Sequence, residues 1–81
     1  MDIRISGNEN YCTDVEVTAF LYECNGEWQK KPVDIVTCNY YNQFNLGELV
    51  SSISQKAGVH WYKKFNNELC DIREIKVVYK Q

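Results

Sequence analysis

One imidazole, four thiols and 11 carboxylates are the groups with which this chain of 81 residues can do chemistry. His60 is the only histidine, so a Cys–His nucleophile would need Cys12 or Cys70 folded against it, and nothing in their spacing favours that. The four cysteines, Cys12, Cys24, Cys38 and Cys70, include no C-x-x-C pair, whereas zinc wants four closely arranged N or S ligands. No metal is expected. Carboxylate pairs such as Asp71 with Glu74, or Glu16 with Asp34, arise on any acid-rich surface and carry no signature. No G-x-x-x-x-G-K-[ST] or G-x-G-x-x-G loop is present to cradle a phosphate, so no nucleotide cofactor is expected either. The chain reads as a protein that binds, not as an enzyme.

Two aromatic stretches are left as binding candidates. "HWYKKF" (60–65) sets an imidazole and two rings beside two lysines, and "NYYNQFN" (39–45) sets three rings among amides, a mixture suited to contact surfaces that lose little side-chain entropy on binding. From these come the candidate partner-binding residues Tyr40, Tyr41, His60, Tyr62 and Lys64, with Lys76 added from the last strand. In the competing reading Tyr40 and Phe44 pack beneath the helix start, with at least one tyrosine left exposed. A nucleic-acid or nucleotide binder using the aromatic and basic surface of residues 60–80 is the alternative function. It needs several stacking rings and a continuous basic groove. The formal charge of −2 argues against it, although it is unevenly spread: residues 1–29 hold one base against six acids, and residues 30–81 hold eight bases against five acids.

The start "MDIRIS" has no basic n-region, and no apolar run is long enough for export or for a membrane span, so an intracellular protein with reduced thiols is expected. No repeat, linker or low-complexity tract divides residues 1–81, which read as a single domain. Aromatics at 14% suit a small core, since each buried ring removes about 150–250 Å² from water.

The elements follow from periodicity. "IRI" (3–5) is a short strand, and "DVEVTAFLYEC" (14–24) alternates, with Val15, Val17, Ala19 and Leu21 on one side. Asn25-Gly26 suits a two-residue hairpin turn into "EWQKKPVDIVTC" (27–38). That turn register sets Val15 opposite Val36, Val17 opposite Asp34 and Ala19 opposite Pro32, so the proline requires a sheet edge or a bulge. It also sets Cys12 and Cys38 on opposite faces, with Cys24 about 40 Å along the strand from Cys12. "NLGELVSSISQKAG" (45–58) reads as a helix capped by Asn45 and Glu48 and ended by Gly58, with Leu46, Leu49, Val50, Ile53 and Ala57 on one stripe.

Two strands are expected after it, "VHWYKKF" (59–65) and residues 70–80, joined at Asn66-Asn67. Alternation then buries Trp61 and Phe65 and leaves His60, Tyr62 and Lys64 outside, beside Lys76 and Lys80. In the last strand Ile75, Val77 and Tyr79 point inward, and Ile72 needs a bulge near Arg73 or Glu74. The expectation is an α+β domain of order β-β-β-α-β-β, one amphipathic helix on a mostly antiparallel sheet. It resembles a β-grasp arrangement in element order, without a residue motif behind the likeness. The function expected is a small intracellular binding protein that contacts another protein, an inhibitor or regulator of the kind phages and mobile elements encode.

Overall fold

The computed structural model describes residues 2–8, 14–24, 26–41, 44–66 and 70–80. Its elements are β1 (Asp2–Ser6), β2 (Asp14–Cys24), β3 (Glu27–Trp28), β4 (Asp34–Tyr41), α1 (Leu46–Lys64) and β5 (Cys70–Lys80). β2 is the central strand: β5 lies antiparallel along one side, and β3 and β4 lie antiparallel along the other. Beyond β5, β1 forms a parallel edge. One helix packs on one face of this mixed, mostly antiparallel sheet, which is the α+β architecture expected. The order is β-β-β-β-α-β rather than β-β-β-α-β-β, and with a single strand after the helix the β-grasp likeness of order does not hold.

The first departure lies in the hairpin. At its tip Glu23 faces Trp28 and Cys24 faces Glu27, the register set by the two-residue turn, and Gly26 takes φ 84° there. Residues 29–33 then leave the ladder, and pairing resumes four residues out of step, with Ala19 opposite Val36, Val17 opposite Cys38 and Val15 opposite Tyr40. Pro32 cannot donate a ladder hydrogen bond, and it sits in this looped-out stretch. An even slip keeps each side chain on its expected face. Val36, Cys38 and Tyr40 accordingly pack against the core while Ile35, Thr37, Asn39 and Tyr41 are exposed.

The second departure is the helix. Residues 59–64, expected as a strand, continue α1, which is 19 residues long. Leu49, Ile53, Ala57 and Trp61 recur every four residues and are all fully buried, so the apolar stripe runs past Gly58. Gly58 does not take the left-handed conformation that ends a helix; Asn66, with φ 56°, does so just beyond Phe65. Lys63 and Lys64 in the last turn also suit the negative end of the helix dipole. At the other end the expected capping box is formed: the Glu48 backbone N–H donates to Asn45 Oδ1 over 2.8 Å, and the Asn45 N–H donates to Glu48 Oε2 over 3.3 Å.

Val15, Val17, Ala19 and Leu21 of β2, the four helical residues, and Ile75, Val77 and Tyr79 of β5 make one core, with Phe65 and Ile72 packed at its margin. Ile72 reaches it because Arg73 is skipped in the pairing between Phe20↔Glu74 and Leu21↔Ile72, the bulge its parity required. Cys38 is a free thiol, and Cys12 lies outside the described residues. The backbone register also sets Cys24 opposite Cys70, a pairing that the hairpin alone does not reveal.

Candidate functional site

The six candidate residues do not converge. Tyr40 faces the helix, where its hydroxyl and Ser52 Oγ share a 2.9 Å hydrogen bond, Lys56 Nζ stands 4.9 Å from its ring centroid, and Phe44 meets it edge-on. Tyr41, the next residue, is 68% exposed on the opposite face of the sheet. Lys76 also lies on that open face, opposite Thr18 in the ladder. His60, Tyr62 and Lys64 are exposed residues of α1, on the other side of the molecule. The expected neighbourhood of His60, Tyr62 and Lys64 with Lys76 and Lys80 therefore does not exist: it depended on a 59–65 strand pairing with the last one.

His60 and Lys64, four residues apart on the helix, instead meet Asp34 at the start of β4. Lys64 Nζ is 3.1 Å and His60 Nε2 3.5 Å from Asp34 Oδ2, and the Trp61 indole N–H donates to the same oxygen over 2.9 Å. Burial raises the Asp34 carboxyl, but hydrogen bonds from Lys64, Trp61 and the Ile35 backbone N–H, with the Lys64 charge, outweigh it and hold the group below its ordinary range. A carboxylate so placed is an acceptor that fastens the helix to the edge strand. Sequence reasoning missed it because the turn register set Asp34 opposite Val17. The signal was the indole itself, since a buried tryptophan N–H needs an acceptor.

The hairpin end gathers a different set of groups. The Trp28 ring stacks on Tyr22 with centroids 5.6 Å apart and planes at 23°, and Arg73 lies 5.2 Å from the indole centroid. Arg73 is itself paired with Glu23. Though held between these neighbours, Trp28 stays 57% exposed and Val33 40% exposed. Residues 28–33 line an open groove between them, which includes Lys30, Lys31 and Pro32. Among the described residues neither lysine makes an ion pair. Nothing in the 27–38 alternation identified this surface; it exists because residues 29–33 leave the ladder.

Among the described residues no three His, Cys, Asp or Glu side chains group as metal ligands, and no helix is long and apolar enough to cross a membrane. No protein family, curated protein or solved structure matches the chain.

Proposed function

We propose that the chain is a non-enzymatic protein-binding module whose contact surface is the hairpin end, with Trp28 as its anchor and an acidic segment as its partner. The observation that carries the reading is the exposed indole, preset by Tyr22 and Arg73 and flanked by two lysines that make no ion pair among the described residues. Tryptophan, tyrosine and arginine are enriched among interface hot spots, and an indole already held in place buries a large, rigid surface with little entropy lost. Lys30 and Lys31 favour carboxylates at the rim of that contact, and they steer an acidic partner toward it. The biological role in this reading is intracellular inhibition or regulation, of the type that phages and mobile elements encode.

The test is capture of partners from source-cell lysate by the wild-type chain, by Trp28→Ala and by Lys30→Glu/Lys31→Glu, each with and without nuclease and read by mass spectrometry. The expected result is one protein retained by the wild type despite nuclease and lost by both folded variants. Capture that disappears with nuclease assigns the surface to nucleic acid and overturns the reading, as does capture indifferent to Trp28.

A further inference from the structure

The outer edge of β4 offers a second surface, distinct from the hairpin end. Among the described residues β4 pairs only with β2, so its other side presents unpaired backbone N–H and C=O groups along the middle of the strand, between Ile35, whose N–H donates to the Asp34 carboxylate, and Tyr41, whose carbonyl accepts from the Phe44 N–H over 3.3 Å. Natural edge strands guard such a row with lysine, proline or a bulge. Between Ile35 and Tyr41 β4 has none of these: the run Ile-Val-Thr-Cys-Asn-Tyr-Tyr is uncharged and regular. The guards stand outside it, at Lys30, Lys31 and Pro32.

The pattern along this edge is complementary to itself. Ile35, 50% exposed, and Tyr41, 68% exposed, lie on the same open face near its two ends, and Cys38 lies midway between them. Antiparallel pairing of two copies about Cys38 would set Ile35 opposite the partner's Tyr41 twice over. On the helix face it would set Val36 opposite the partner's Tyr40, and the free thiol of Cys38 opposite its counterpart. Opposed residues keep the same face in this register, so no apolar residue is turned to solvent.

The helix agrees with the same two-fold axis. Tyr40 meets Ser52 and Asp34 meets Trp61, so α1 runs antiparallel to β4, and its middle stands beside Cys38. Ser52 and Lys56 face Tyr40, and helical spacing puts Val59 and Lys63 on that same flank. Val59 is 52% exposed there. A second copy would lay its helix antiparallel alongside, bringing Glu48 in the first turn of each toward Lys63 in the last turn of the other.

We infer that the β4 edge is the pairing surface for a second copy of this chain, forming a two-fold dimer with a continuous sheet and with Cys38 at its axis. The hairpin ends then point away from each other, so the dimer presents two partner-binding sites. The experiment is sedimentation equilibrium of the full chain from micromolar to millimolar concentration, together with the Ile35→Lys/Tyr41→Lys variant, whose two changes fall at exposed positions. A short thiol-to-thiol cross-linker with peptide mapping provides an independent readout. The expected results are a mass approaching twice 9.5 kDa for the wild type, return to a single copy in the folded variant, and a Cys38-to-Cys38 cross-link, which only two chains can supply. If the variant fails to fold, hydrogen exchange of wild-type β4 amides at low and high concentration replaces it, with protection rising on association. A wild type that remains a single copy at millimolar concentration overturns the inference. So does a dimer that cross-links without Cys38 or survives the edge substitutions.

Discussion

The Trp61 indole N–H donates to Asp34 Oδ2 across 27 positions of sequence, joining the last turns of the helix to the first residue of an edge strand. Because Trp61 is fully buried, removing the acceptor would strand its polar atom. Asp34→Ala should cost about 1–3 kcal/mol, the range for an unsatisfied buried donor. Asp34 also ties stability to pH. Its folded pKa is depressed below the ordinary value of 3.8, so its contribution is complete above that value and is lost as pH falls through the lower folded one. Urea titrations in an acid series should show a steeper loss of stability for the wild type than for Asp34→Asn. Parallel curves would mean that the carboxylate is not held by its three donors.

Gly58 separates a helix that ends from one that continues. It lies inside α1, exposed, and an added Cβ would meet nothing within 4 Å. Gly58→Ala should therefore stabilise the protein by about 0.5–1 kcal/mol, the usual gain in a helix interior. A loss, measured by thermal or urea unfolding, would restore Gly58 as a left-handed cap and residues 59–65 as a strand.

Gly7 is required for two reasons at once. Its φ is +87°, and a Cβ there would stand 2.4 Å from the backbone oxygen of Tyr79. Gly26, at φ +84°, has the conformation without the crowding. Gly26→Ala should cost about 1–2 kcal/mol from backbone strain alone, and Gly7→Ala clearly more, because backbone atoms of β5 cannot step aside. Equal losses in the two variants would show that the chain at Gly7 does not approach Tyr79 so closely.

Ile53 sits mid-stripe between Leu49 and Ala57, with no exposed surface. Ile53→Ala should lose about 2–5 kcal/mol in denaturant titration. Less than about 1 kcal/mol would place that stripe against solvent or a partner rather than the sheet.

What periodicity alone revealed depended on how local the deciding interaction was. The β2 core face, the Asn45–Glu48 cap, the Ile75–Val77–Tyr79 alternation and the Arg73 bulge all follow from neighbours within a strand or a turn of helix. The 59–65 segment was ambiguous for a physical reason: positions 61 and 65 share a side both at strand period two and at helical spacing four, so both patterns make Trp61 and Phe65 the inward pair. Only the continuity from Ala57 to Trp61 decides for the helix. Tyr40 and Tyr41 could not be sorted into core and surface until the four-residue slip set Tyr40 opposite Val15. Asp34 was lost to the same slip, and Trp28 to the loop that produces it.

That loop yields a test of the whole hairpin. The tip pairs Glu23 with Trp28 and the body pairs Leu21 with Asp34, a difference of four residues between the two registers. Deleting Gln29 to Pro32 would bring Val33 opposite Tyr22 and join β3 to β4 in one ladder, with every side chain of Asp34–Tyr41 on its present face. Loop-closure entropy changes little over so few residues, so this variant should fold with stability within about 1 kcal/mol of wild type. Deleting Val33 as well leaves the strand one residue short. Either Val36, Cys38 and Tyr40 then turn outward or a new bulge must open in β2, and the loss should be several-fold larger than in the four-residue deletion. Urea unfolding of the two deletions side by side measures the difference. If the shorter deletion unfolds the domain while the longer one is tolerated, the registers on either side of the loop differ by an odd number, and the placement of Tyr40 and Asp34 against the helix is wrong.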